Sequence, residues 1–247
     1  MRSGRPYKGG PLSLKGPVMQ FMILRRADAT SEADDFPSAE LKAAVPNARW
    51  LQSSTSAVRM QRSDGEWRLT DGPFDDVAVA GFTMLEAPDR KAAEALLGSW
   101  PGADAEGQAV LEVREAGCPG GCVGFDTGAA PQKTGYAILL RSDEVSESDL
   151  APPAEVIDIM NRANRAAIQA GTAISGEGLK STAKGSRLKF SAGKPMIVDG
   201  PFAEVKELIA GYWLIDVGSL DEAIAWVRNY PYPNLGTMEV ELRKVAL

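Results

Sequence analysis

The tetrapeptide Asp-Gly-Pro-Phe occurs twice in this chain, at Asp71-Gly72-Pro73-Phe74 and at Asp199-Gly200-Pro201-Phe202. A residue before proline is pushed towards extended conformations, glycine accepts backbone angles that other residues refuse, and a leading aspartate can hydrogen-bond backbone two residues on. The tetrapeptide therefore reads as a strand end that stops at a fixed place, with its phenylalanine turned inward as an anchor. Its recurrence makes the chain a candidate tandem repeat, and neighbouring residues follow suit. Arg26, Ser31-Glu32, Asp34, Pro37 and Ala39-Glu40 match Arg141, Ser146-Glu147, Asp149, Pro152 and Ala154-Glu155 at one constant displacement.

Each half carries the same order of patterns. An apolar run opens it, Phe21-Met22-Ile23-Leu24 in the first half and Tyr136-Ala137-Ile138-Leu139-Leu140 in the second. A helix is predicted over about 153–169, with Val156, Met160, Ala163 and Ala167 on one face and Gly171 as its stop. Its first-half counterpart meets Pro46 within about two turns and should be short, because proline removes a helical hydrogen bond and clashes with the turn before it. A strand with the glycine-flanked acid Glu177 follows in the second half. Hairpins are then predicted around Ser63-Asp64-Gly65-Glu66 and Ser191-Ala192-Gly193-Lys194, each ending on the repeated tetrapeptide. A buried strand, a helix capped by Asp89 or Ser219, and an alternating strand close each half.

The resulting order is the split βαβ of a ferredoxin-like fold with one extra hairpin. A sheet with both helices on one face leaves its other face apolar, and two such sheets in one chain can cover each other. The expected fold is thus α+β: two tandem ferredoxin-like repeats (βαββαβ plus hairpin) forming a pseudo-dimeric α/β barrel. The expected organisation is a disordered leader over 1–18, a degenerate repeat over 19–115, a linker over 116–134 and an intact repeat over 135–247.

Composition narrows the chemistry. With 247 residues, 44% of them hydrophobic, the chain can bury a large core. The net charge of −6 and the lack of a dense basic block argue against nucleic acid. No apolar run approaches the roughly 20 residues of a membrane helix, nor does the N-terminus read as a signal peptide, so a cytoplasmic location is expected. There is no histidine, which excludes histidine-based triads and histidine–zinc sites. Cys118 and Cys122 are too few for a tetrahedral zinc site, and in a reducing compartment they read as a feature of the linker with no metal or redox role. No metal and no cofactor motif is expected.

The repeated tetrapeptide with the Ala203-Glu204-Val205-Lys206-Glu207 run, the strand ending Leu140-Arg141-Ser142-Asp143 and the Gly176-Glu177-Gly178-Leu179 segment resemble the YCII-related (DGPF) family of bacterial proteins. The resemblance spans about 135–245 and is weaker over 21–115. It implies the ferredoxin-like fold and barrel-like pairing, and a connection of some members to extracytoplasmic-function sigma factors. Other members look like enzymes built on a His-Asp pair, which this chain lacks.

The site is expected in the second half, because Asp75-Asp76-Val77-Ala78 stands where the charged run would be in the first. The candidate ligand-binding set is Arg141, Asp143, Glu177, Asp199, Glu204 and Lys206, around a small polar molecule. Three functions compete: a small-molecule-binding or regulatory accessory protein; an enzyme using Asp199 or Glu177 as its base; and an interaction protein, for example with a sigma factor. Carboxylate chemistry near neutrality would require burial or neighbouring charges to shift a pKa.

Overall fold

The computed structural model describes residues 18–76, 79–106, 109–119, 121–191, 194–203, 207–232 and 237–246. The expected leader therefore lies almost wholly outside the described residues, as do Glu204 and Lys206.

The first half runs β1 (Met19–Arg26), α1 (Ala39–Ala44), β2 (Arg49–Trp50), the hairpin β3 (Val58–Ser63) and β4 (Glu66–Asp71), β5 (Val79–Ala87), α2 (Arg90–Leu97), α3 (Gly102–Glu106) and β6 (Val110–Glu115). A two-residue strand, β7 (Phe125–Asp126), follows. The second half runs β8 (Thr134–Arg141), α4 (Glu144–Glu147), α5 (Ala154–Gln169), β9 (Ala173–Gly178), the hairpin β10 (Ser186–Ser191) and β11 (Lys194–Asp199), β12 (Ile209–Val217), α6 (Leu220–Asn229) and β13 (Met238–Lys244). Helix α1 has six residues, as Pro46 demands. Helix α5 has sixteen, and Gly171 beyond its end sits at φ 70°, where a side chain is strained. Asp89 caps α2 by accepting from Ala92 N at 2.8 Å. Ser219 accepts from Glu222 N, while the Glu222 carboxylate reaches back to Gly218 N, one residue before the expected capping-box donor. The segment expected to be a linker supplies β7, which pairs with β9.

The strands form two antiparallel sheets, ordered β11-β10-β6-β1-β5-β2 and β4-β3-β13-β8-β12-β9-β7. The hairpins are exchanged. The second-half hairpin pairs with β6 of the first half, and the first-half hairpin pairs with β13 of the second. A reading of local pattern leaves each hairpin in its own half, because adjacency in sequence is all it can see. Cross-strand partners decide otherwise. Leu188 packs with Phe21, Leu111 and Val113, and Met60 packs with Ile138 and Val240. At the same joints Arg187 lies opposite Glu112 and Arg59 opposite Glu241.

The faces of the two sheets share one core. Met22, Leu24, Leu51, Val79 and Phe82 from the first half pack with Ala137, Leu139, Ile174, Tyr212, Leu214 and Val245 from the second. Phe82 and Tyr212 meet at its centre with ring centroids 4.5 Å apart. Each sheet's other face is covered by helices of its own half, in separate clusters. At two seams the sheets touch by isolated antiparallel bridges just beyond strand ends, Leu51 after β2 with Val245 after β13 and Ala116 after β6 with Leu179 after β9. No helix of the described residues is long and apolar enough to cross a membrane.

Candidate functional site

The repeated tetrapeptide builds two equivalent corners, and they are structural. Both Gly-Pro bonds are cis. A Cβ on Gly72 would overlap the carbonyl oxygen of Ser54, and one on Gly200 that of Thr182, so only glycine lets the corner close onto the short 3-10 turn beneath it. Phe74 N donates to Ser54 Oγ at 3.2 Å and Phe202 N to Thr182 Oγ1 at 3.3 Å. Each phenylalanine ring then lies under an arginine of its own hairpin: Arg59 is 4.0 Å from the Phe74 centroid, and Arg187 is 3.9 Å from that of Phe202.

Those arginines lead into two buried ion clusters that fasten the exchanged hairpins. Glu112, fully buried, pairs with Arg187 at 2.9 Å, Arg114 at 3.1 Å and Arg26 at 3.8 Å. Glu241, 1% exposed, pairs with Arg59 at 2.9 Å, Arg243 at 3.1 Å and Arg141 at 3.6 Å. A buried carboxylate is tolerated only when its lost hydration is replaced, and three guanidinium groups supply the replacement. Arg141, one of the predicted site residues, belongs to this clamp and also contacts Asp76 at 3.1 Å and Glu239 at 3.2 Å. Burial pushes the Asp76 carboxyl up, but Arg59 and Arg141 outweigh it and hold it below the usual range.

Of the other predicted residues, Asp199 is 70% exposed and pairs with Arg90 of the first half at 2.7 Å. It is not among the residues lining the cavity described below, and the base proposed from the repeated motif is largely exposed to solvent. Asp143 caps α4, accepting from Ser146 N at 2.7 Å while Asp143 N donates to Ser146 Oγ at 2.8 Å. Its carboxylate is committed to backbone.

Glu177 is different. It lines a cavity of about 380 Å³ on the second half, between β8, β12 and β9 of the sheet, helix α5, and the loop after β6. That volume suits a small organic molecule. The walls are mainly apolar: Leu140, Val145, Leu150, Met160 and Trp213 are among them. Arg141 and Asp143 lie at its margin, so three of the six predicted residues meet here. Burial raises the Glu177 carboxyl above its ordinary pKa, with a donation from Gly178 N at 3.0 Å opposing. Gly124 permits this packing, since a Cβ there would overlap the Glu177 carboxylate.

Two features of the site escape a reading of local pattern. The first is the floor of aromatic groups around Asn164, whose Oδ1 accepts from Trp213 Nε1 at 3.1 Å and from Tyr230 Oη at 2.8 Å. The only signal in the sequence was the aromatic content of the segment 212–232, which reads equally as core. The second corrects an expectation: Cys118 and Cys122 are joined by a disulfide. The pair closes a five-residue loop whose two cysteines and Val123 form part of the cavity wall. The loop is pinned by Gly117 N donating to Gly178 O at 2.8 Å and by Val123 N donating to Asn161 Oδ1 at 3.2 Å. Spacing alone could not show that a short loop turns its sulfurs together over a strand. No group of three or more metal-ligating His, Cys, Asp or Glu side chains occurs among the described residues.

Residues 135–245 match the YCII-related domain. Over 114 residues the chain is 35% identical to an uncharacterised protein of Rhizobium meliloti (strain 1021), a stretch covering 45% of this chain and 92% of that protein.

Proposed function

The chain belongs to the YCII-related family, and from that premise we propose that it is a small-molecule-binding protein whose site is the cavity over the second-half sheet. The carrying observation is that cavity: mainly apolar walls with a half-buried carboxyl, Glu177, at one side. We further read the two sheets, packed face to face and joined by the Leu51–Val245 and Ala116–Leu179 bridges, as a pseudo-dimeric α/β barrel of two ferredoxin-like repeats. In that reading the first repeat is a scaffold that completes the second. An enzymatic role would have to rest on Glu177, because Asp199 is exposed and held by Arg90.

The test uses a neutral aromatic dye, N-phenyl-1-naphthylamine, whose fluorescence rises on entering an apolar site. The wild-type protein is expected to bind it at one site. Met160→Trp, which places an indole in the cavity, is expected to abolish binding, and Asp199→Asn to leave it unchanged. A folded wild-type protein that does not bind the dye, or binding that Met160→Trp leaves intact, would refute the proposal.

A further inference from the structure

We infer that the ligand of this cavity is an amphipathic primary amine: an aromatic or alicyclic body in the apolar walls and an ammonium group against Glu177. The inference rests on the binding role proposed above and gives it a chemical class.

Among the described residues, the charges lining the cavity are Arg141, Asp143, Glu177 and Glu239. Arg141 and Glu239 pair with each other at 3.2 Å, and Arg141 is engaged further by Asp76 and Glu241. Asp143 caps α4 and is exposed to solvent, so its charge is hydrated. Glu177 is left as a carboxyl with one backbone donor and no ion pair among the described residues. A half-buried carboxylate without a counter-ion is partly desolvated at a cost, whereas the same group facing a ligand ammonium gains a charge-assisted hydrogen bond in a poorly solvated setting. The first half offers a contrast: there the buried arginine Arg25 is met by Asp28 at 2.7 Å and Asp104 at 2.6 Å within the chain.

The apolar contacts come from Leu140, Met160 and Trp213, with an indole face suited to an aromatic ring. A carboxylate is the class this lining disfavours, since its charge would face Glu177 with no uncommitted cation among the described lining residues to balance it.

The experiment is displacement of N-phenyl-1-naphthylamine by three probes of one shape: 2-phenylethylamine, 2-phenylethanol and 3-phenylpropanoate. The amine is expected to bind about tenfold or more tightly than the alcohol, the usual gain from a charged hydrogen bond, and the acid not measurably. Glu177→Gln is expected to bring amine and alcohol within about twofold, with a cooperative urea-unfolding transition showing that the variant is folded. Equal affinity for amine and alcohol in a protein that binds the dye would overturn this inference and leave the binding role standing. Failure to bind the dye at all would remove both. Amine preference that survives Glu177→Gln would overturn the assignment of Glu177 as the recognising group.

Discussion

The helix-covered faces of the two sheets share a frame and differ in what fills them. In the first half Trp50 lies opposite Gly81 on the neighbouring strand; in the second, Gly178 lies opposite Gly211. The residue before each is Arg49 in one half and Glu177 in the other, opposite Phe82 and Tyr212. The Trp50 indole lies against Gly81, near enough that a Cβ there would meet Cε3 at 2.5 Å. It is edged by Phe36 at 5.6 Å and Trp100 at 6.5 Å between centroids. Trp100 in turn donates to Asp104 at 2.8 Å, which also holds Arg25. The space that remains there does not admit a water molecule. Where the second half has glycine, the Cys118–Cys122 loop approaches instead and a cavity persists. One side chain at an equivalent strand position separates a packed wall from a binding space.

The sharpest way to break this comparison is to give the first half its glycine. Trp50→Gly should cost about 3–5 kcal/mol of stability for the lost burial and cavity, plus about 0.5–1 for glycine within a strand. Urea unfolding measures the loss, and the dye stoichiometry should rise from one towards two. A loss below about 1 kcal/mol would mean that Trp50 is not what fills this face.

The ion clusters are the next test, because here the halves are alike. Glu112→Gln and Glu241→Gln should each cost about 3–5 kcal/mol, since each leaves buried guanidinium groups without their carboxylate. If one substitution is silent in urea unfolding while the other is not, the two hairpins are not fastened in the same way.

The smallest effect concerns Glu177, for which the first half has no acidic counterpart. Burial raises its folded-state pKa above the unfolded value of roughly 4.3. Between those two values the folded state holds more protons than the unfolded one, so stability falls as pH rises through the window. Glu177→Gln should therefore match the wild type at pH below about 4 and exceed its melting temperature by a few degrees at most near pH 8. A melting-temperature difference that does not change between these limits would show that Glu177 is no more desolvated in the folded chain than in the unfolded one.

Much of the fold was legible because its signals are local. The apolar runs around Phe21 and Tyr136, the spacing of Val156, Met160 and Ala163, the caps at Asp89 and Ser219 and the two turn signals all act within a few residues. The site was legible only in part. Glu177 stood out as an acid between glycines, but its burial depends on α5 and on a loop about fifty residues earlier. Asp199 stood out because its motif is repeated, and the repetition reflects a corner that Gly200 and Phe202 build, with the carboxylate left outside. Arg141 looked like a ligand-binding cation and serves a buried clamp, because its partner Glu241 lies on a strand a hundred residues away.

Local signals set most of the strands and helices and the two Gly-Pro corners, since turn geometry, capping and hydrophobic period are governed by neighbours along the chain. Only the tertiary structure decided that the hairpins cross to the opposite sheets, that two cysteines close a loop over β9, and that a cavity remains beside Gly178 while Trp50 fills its counterpart. Those outcomes depend on which side chains meet across long sequence separations, where buried charge must find charge and apolar volume must be filled, and no short window of residues contains both partners.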